Sequence, residues 1–454
     1  MSAEGIASPD PGAELSAAML ERIERLTFGY FDRGMNPSNG LVPDSTKQDA
    51  PATVAGSGHA LACYAVAVER GYVSRERAVT RTLAILRFFW DSDQSEARDA
   101  TGYRGFYYHF LDMESGRRAP GSELSTIDSA ILFAGILVAV AYFDRDTAEE
   151  RELRRLGDAL YRRADWRWAR AGGDAVSMGW TPERGFLRYG WTGYNEALFL
   201  YVLALGSPTH PIDRRGYHAW TSTYRWKRIY GWEHLFGGPL FIHQLSHAWI
   251  DFRGIRDEYM RAKGIDYFEN SRRATYIQRE YAIRNPRRFS GYGANAWGIT
   301  ASDGPGPAQR TLKGMPRRFW AYRGRGVPYG PDDGTLSPWA VVASLPFAPE
   351  IVVPALDELE RAHPEITGEL GYKCSYNETF MERDDEKKGW VSQGYYAIDQ
   401  GPVVLMIENH RSEFVWKLMR ACPYVVDGLR AAGFNGGWLS DATGGSEPMQ
   451  PATA

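Results

Sequence analysis

The sequence predicts an all-α toroid, in which an inner ring of buried helices is wrapped by an outer ring, and three observations carry that prediction. Close to twelve segments of the 454-residue chain place apolar residues at helical spacing. Some are apolar nearly all round, as in 130–138 and 197–205, and must be covered on every side, whereas 147–164 sets Arg, Glu and Asp on one face. Between the helices lie long connections rich in Gly, Pro and aromatics: 91–122, 165–195, 206–238, 285–336 and 370–400. Loops of that length in a compact domain usually carry function, so they are expected to gather at one mouth.

Taken in order, the helical segments are 15–31, 54–70, 75–90, 126–143, 147–164, 196–205, 240–252, 257–284, 338–345, 349–362 and 403–409, with a pair between 413 and 432. No repeat at a fixed period points to a solenoid. No linker composition interrupts 16–435, so one domain is expected there, between a flexible N-terminus (1–15) and a flexible tail (436–454).

Composition narrows the function classes. With 44% hydrophobic and 24% charged residues the chain has material for a large core, and its formal charge of −3 gives no general electrostatic reason to bind nucleic acid or anionic membranes. The longest apolar run, 130–143, is too short to span a bilayer. Residues 1–15 have neither a basic segment nor an apolar one, so the chain as given carries no signal peptide. A cytoplasmic location is expected, or a periplasmic one if a leader was removed. Three cysteines, Cys63, Cys374 and Cys422, cannot build a disulfide framework.

The 15 Trp, 26 Tyr and 20 Phe stand out, because many sit beside Gly and polar residues instead of inside apolar runs. They can be core residues. They also suit a sugar cleft, since pyranose rings offer flat C–H faces to aromatics and hydroxyls to fixed donors and acceptors.

Several catalytic motifs are excluded. His243 and His247 have the i, i+4 spacing of a helical metal pair, but no Glu follows the first His and no third ligand is evident, so no metal is expected. Gly56-Ser-Gly-His59 misses the spacing of a nucleophile turn and shows no preceding strand. What remains is a set of carboxylates among aromatics and glycines. Glu196 is expected in the first turn of an apolar helix behind Trp191 and Tyr194, where desolvation raises a carboxyl pKa and the helix N-terminus lowers it. If desolvation wins, Glu196 can donate a proton. Asp128 precedes the most apolar helix, with Ser125 or Thr126 as its cap, and Asp399 lies at another helix entrance. Glycoside hydrolysis needs such a pair, one acid for the leaving oxygen and one base or nucleophile opposite.

The ordered motifs Gly105-Phe-Tyr-Tyr-His-Phe-Leu-Asp112, Glu123-Leu-Ser-Thr-Ile-Asp128, Gly193-Tyr-Asn-Glu196, Asp251-Phe-Arg-Gly254, Tyr267-Phe-Glu-Asn-Ser-Arg272, Trp297-Gly-Ile-Thr-Ala-Ser-Asp303 and Ile398-Asp-Gln-Gly-Pro402 resemble the glucoamylase-like family. That family includes bacterial endo-β-1,2-glucanases, sophorose-releasing enzymes and the transglycosylase domain of cyclic β-1,2-glucan synthases. The resemblance covers roughly residues 85–433. It implies an (α/α)6 barrel, an enzyme without cofactor or metal, and a β-1,2-glucan or oligosaccharide substrate in preference to starch. It implies Glu196 as general acid and Asp399 as base of an inverting hydrolase, with Glu280 in reserve for the second carboxylate of a retaining one. Tyr107, His109, Glu123, Asp128, Trp191, Tyr194, Arg253, Arg272, Trp297 and Asp303 are the expected substrate-binding residues. A retaining transglycosylase, a hydrolase of another glucoside linkage and a non-catalytic glycan-binding toroid are the alternatives. Trp220, Tyr224, Trp226, Tyr230 and Trp232 are further expected to block one end of the cleft and favour exo-action.

Overall fold

The computed structural model describes residues 11–312, 314–380 and 389–442. The chain advances in pairs of helices. Helix α1 (Pro11–Gly34) leads to α2 (Val54–Glu69), α3 (Arg75–Asp91) to α4 (Thr126–Tyr142), and α5 (Ala148–Arg163) to α6 (Leu198–Leu205). Next, α7 (Arg214–Thr221) leads through a 3-10 turn (Leu240–His243) to α8 (Leu245–Trp249), and α9 (Glu258–Lys263) with α10 (Tyr267–Arg284) to α11 (Pro338–Val342). Finally α12 (Pro349–Ala362) leads to α13 (Ala397–Ser412).

The second member of each pair faces inward. Helix α2 packs on α4, α4 on α6, α6 on α8, α8 on α13 and α13 back on α2, with α11 against α13. The first members cover them from outside: α1 lies on α2 and α13, α5 on α4, α7 on α6 and α12 on α11. Local sequence explains this division. In α4 the side chains of 128–139 are all buried, and each fully buried Ile, Leu, Val or Phe contributes about 1.5–3 kcal/mol. In α5 only one face, including Leu153, Leu156 and Leu160, is buried, and Thr147 caps the helix by accepting from the Glu150 N–H.

Helices α2 and α4 approach closely because each carries a glycine at the contact. A Cβ on Gly135 would lie 1.9 Å from the Gly58 carbonyl oxygen, and one on Gly58 2.5 Å from that of Ile131. The Gly56-Ser-Gly-His59 segment is therefore a packing device inside a helix. A two-residue strand, Ala52–Thr53, does precede it, contrary to expectation, but Ser57 is fully buried and faces no cleft.

Long connections join outer helices to the N-termini of inner ones, and short ones return at the other end. Helices α14 (Phe414–Arg420) and α15 (Pro423–Ala431) pack on α4, α8 and α6 and cover that second end. The long connections are not structureless. Five short strands from 102–103, 106–108, 124–125, 179–181 and 185–186 form one sheet, and hairpins such as Trp226–Ile229 with Trp232–Leu235 form others, so the molecule is predominantly helical with small sheets in its loops.

Several boundaries differ from the sequence reading. Helix α13 begins at Ala397, six residues earlier than expected, because Gly401 and Pro402 are accommodated inside it, Gly401 lying against the His59 ring. The expected 257–284 helix breaks at Gly264, which takes a left-handed conformation (φ 73°), and restarts with Asp266 as cap. Helix α7 lies inside a stretch read as loop. The N-terminus is helical from Pro11, and Gly437–Asp441 forms a short helix α16 whose Leu439 is buried, so the described part of the expected flexible tail is packed. Residues 1–10 and 443–454 lie outside the described residues. No helix among the described residues is long and apolar enough to cross a membrane.

Candidate active site

A cavity of about 660 Å³ opens at the N-terminal ends of the inner helices. Its wall includes Thr53 just before α2 and Ala55 within it, Ile127, Asp128 and Ile131 from α4, Glu196 just before α6, Phe241 and Leu245 around α8, Trp339 from α11 and Ile398 and Asp399 from α13. Helix N-termini carry partial positive charge, which favours acidic side chains beside them. The cavity is accordingly rich in carboxylates.

Glu196 sits in the turn before α6, two residues ahead of the first helical residue, not in the first turn as expected. Its main chain is fixed from α8: the Ser246 hydroxyl donates to the Glu196 carbonyl (2.9 Å) and accepts from the Phe199 N–H (3.2 Å). Burial pushes the carboxyl up to about 7, and the negative charge of Asp128 adds to the rise. Desolvation wins, so Glu196 can hold a proton near neutral pH.

Asp399, in the first turn of α13, is fully buried, and apart from the weakly donating Cys374 thiol beside it neither oxygen has a hydrogen-bond partner among the described residues. Burial drives its pKa well above the carboxylate range, opposed by the Cys374 thiol and reinforced by Asp44 and Asp303.

On the facing wall His109 stands between two acids. Its Nδ1 lies 3.0 Å from Glu123 Oε1 and its Nε2 3.7 Å from Asp128 Oδ2, and its ring stacks on Phe110. Burial disfavours its charge, but Asp128, the Glu123 bond and Asp44 outweigh that and push it up to about 9. Glu123 is held below its ordinary value by the same bond, against desolvation. Ser125 is the cap of α4: its hydroxyl accepts from the Asp128 N–H (3.3 Å) and donates to Asp128 Oδ2 (2.5 Å).

The structure thus gathers Glu196, Asp399, Asp128 and His109 around one cavity, with Glu123 bonded behind His109. Asp303 lies beside it, accepting from Ser392 (3.1 Å) and paired with Lys47 (3.5 Å), whose ammonium also lies over the Tyr396 ring. The other expected residues stand elsewhere. Tyr107 is buried, bonded to Arg163 and to the Phe89 carbonyl. Trp191 is buried and donates to Thr126 Oγ1. Tyr194 packs among His243, Tyr224 and Tyr267. Trp297 is buried outside the cavity wall.

Arg253 pairs with Asp251 and Glu413 at the opposite end of the inner helices, and Arg272 pairs with Glu350 on an outer helix. Glu280, the reserve carboxylate, pairs with Arg284 one turn along its own helix α10. Each of these charges is consumed by a local partner. Of the aromatics expected to block the cleft, Trp220 is fully buried, and neither it nor Tyr224, Trp226, Tyr230 or Trp232 lines the cavity. His243 bonds the Gly237 carbonyl and His247 Nε2 the Ser271 hydroxyl, while His247 Nδ1 is buried without a partner among the described residues. Among the described residues no group of three or more His, Cys, Asp or Glu could hold a metal ion.

The sequence reading missed the segment 44–51, which supplies Asp44, Ser45, Lys47, Gln48, Asp49, Ala50 and Pro51 to the wall, together with Tyr322 and Tyr396. Its signal was available: a short run of charged and polar residues, Asp44-Ser-Thr-Lys-Gln-Asp49, immediately before an apolar helix.

Fold and cavity together define a helical protein with a carboxylate-bearing cleft at one end of its inner helices. The chain belongs to the glucoamylase family whose model, described as "Putative glucoamylase", matches residues 188–423. A structure of the same description from Bacteroides uniformis shares 32% identity with a TM-score of 0.83, over 94% of this chain and 99% of that one. The endo-β-1,2-glucanase of Chitinophaga pinensis, solved with sophorotriose and glucose, shares 29% identity with a TM-score of 0.81, over 93% of this chain and 99% of that one. The exo β-1,2-glucooligosaccharide sophorohydrolase of Parabacteroides distasonis is 28% identical over 450 residues, which span 91% of this chain and 57% of that protein. The chain therefore matches little more than half the length of that curated relative.

Proposed function

We propose that the protein is a hydrolase of β-1,2-glucan or β-1,2-gluco-oligosaccharides, built on a single (α/α)6 barrel and working by inversion with Glu196 as general acid and Asp399 as general base. The observation that carries the reading is the pairing, in one cavity, of a half-buried carboxyl pushed up to about 7 with a second, buried carboxyl that has no ion pair and only a thiol beside it. A proton held by Glu196 at neutral pH is what a glycosidic leaving oxygen needs. Asp399, with only that thiol beside it, would gain partners from substrate or water, and a bonded, solvated carboxylate ionises more readily than a buried bare one. His109, Asp128 and Asp303 supply donors and acceptors for sugar hydroxyls. The substrate class is supported by the names of the relatives from Parabacteroides distasonis and Chitinophaga pinensis.

Incubation with linear β-1,2-glucan and sophoro-oligosaccharides, with products followed by chromatography and their anomer by NMR, tests the proposal. Turnover with inverted product that collapses in Glu196→Gln supports it. Retained configuration would overturn the inverting assignment, and absence of turnover by the unaltered protein would overturn the substrate class.

A further inference from the structure

The segment 44–51 brings a charged group to the cavity that the fold itself does not use. The Asp44 main chain is fixed on both sides: its N–H donates to the Pro51 carbonyl (2.7 Å) and its carbonyl accepts from the Ala397 N–H (2.9 Å) at the start of α13. The neighbouring Ser45 bridges to Tyr396. Residue 44 is therefore pinned two residues from Asp399 in the α13 entrance. Its side chain, by contrast, is half-buried in the cavity wall and makes no hydrogen bond or ion pair with any described residue. The one cation of its own segment, Lys47, is committed to Asp303 and the Tyr396 ring. A carboxylate drawn partly out of water, offset only by the charges of His109 and Lys47 and making no hydrogen bond to a described residue, keeps its acceptor oxygens free for a ligand.

The position of Asp44 is specific. It lines the same cavity as His109, Asp128 and Asp399, is joined to the start of α13 through the Ala397 N–H, and feels the charges of His109, Asp128 and Lys47. Close by, Asp399 is fully buried with only the Cys374 thiol beside its oxygens, and the Tyr396 hydroxyl is buried and unbonded. Unsatisfied acceptors converging on one space describe a site for a ligand rich in hydroxyl donors. Two free carboxylate oxygens can each accept from one of two neighbouring hydroxyls of a sugar ring, and such charge-assisted bonds are short and strong.

We infer that Asp44 is a substrate-contacting carboxylate that accepts hydrogen bonds from hydroxyls of a glucosyl unit lying between His109 and Asp399, and so determines how tightly that unit is held. The inference rests on the glucoside-hydrolase reading and adds a residue to it.

The test is calorimetric binding of sophoro- and cello-oligosaccharides to Glu196→Gln, in which turnover is suppressed, and to the same protein also carrying Asp44→Asn or Asp44→Ala. Loss of two charge-assisted bonds in the Ala variant is expected to weaken binding by roughly 10²- to 10⁴-fold, and Asn, which keeps one acceptor, less. Melting temperatures equal to the parent's are expected, because residue 44 is held through its main chain. Unchanged dissociation constants in both variants would overturn the inference and leave the proposed function standing. Binding of cello- but not sophoro-oligosaccharides would overturn the linkage, and Asp44 would then be judged on the cello series. Binding of neither series by the Glu196→Gln parent would overturn both.

Discussion

At their N-terminal ends the inner helices hold Glu196 and Asp399 without an ion pair to any described residue, whereas around their C-terminal ends buried acids are clasped by arginine. Glu24 of α1 and Glu408 near the end of α13 share Arg411 at 2.7 and 2.8 Å. Asp251, just beyond α8, is held by Arg253 and Arg420, which also reach Glu413. The pKa does not separate the two ends. Burial pushes Glu24 up to about 7 even against Arg411, the same value that Glu196 reaches. Space and partners separate them: Glu196 faces a cavity of about 660 Å³, and Glu24 is fully enclosed by protein. A perturbed carboxyl marks a site only where a ligand could reach it.

The largest effects expected from breaking this contrast are on activity. Glu196→Gln should lower kcat by roughly 10²- to 10⁴-fold, the usual worth of a general acid, with little change in melting temperature. Asp399→Asn should also abolish most turnover, yet leave the fold equally or more stable at neutral pH. The sign follows from the raised pKa. Folding favours protonated Asp399, so ionisation above the ordinary carboxylate range works against the folded state, and Asn removes that penalty. Thermal melts at pH 7 beside steady-state assays check both variants, and a marked fall in stability for Asp399→Asn would contradict the assignment.

At the other end the expected effect is on stability alone. Arg411→Met leaves the buried Glu24 and Glu408 only the more distant Arg70, whose Nε lies 4.0 and 3.9 Å away, and should cost about 3 kcal/mol in denaturant unfolding, with kcat of the folded protein retained. Glu24→Gln should act more gently. Because the folded pKa of about 7 exceeds the reference 4.5, the folded form binds the proton more tightly than the unfolded chain. Its contribution to stability is then present below about pH 4.5 and is lost as pH rises toward 7. The Gln variant should flatten that part of the stability profile and match or exceed the unaltered protein at pH 8. A Gln variant that is less stable at pH 8 would mean that the ionised Glu24–Arg411 pair outweighs the burial cost.

Some of this contrast was legible in the sequence and some was not, for physical reasons. Helices α2, α4 and α5 were placed within about one residue, because apolar periodicity and the Ser125 and Thr147 caps act locally. The start of α13 was hidden by Gly401-Pro402, whose tolerance depends on packing against α2. Glu196, Asp399 and Asp128 were found because charges next to apolar helix starts need a justification, and His109 through the motif Gly105–Asp112. Arg253, Arg272 and Trp297 were chosen by motif, and motif membership does not say which way a side chain faces. Asp44 was missed because a loop carries no period, and its nearness to Asp399 arises from the main-chain bond between residues 44 and 397.

The smallest expected effect sharpens the cavity end itself. If Glu196 is the acid, kcat/KM should fall as pH rises through about 7, because only the protonated form can donate. The negative charge of Asp128 contributes to holding that proton, behind desolvation. Asp128→Asn removes the charge while nearly preserving shape, so the alkaline limb should move toward lower pH, by a fraction of a unit given that burial is the larger cause. The same substitution withdraws the foremost charge that keeps His109 protonated, and NMR titration of His109 should show its pKa falling from about 9 in parallel. A limb that stays in place while His109 shifts would separate the two halves of the argument: the histidine would be coupled to Asp128, and the acid at work in catalysis would not be Glu196.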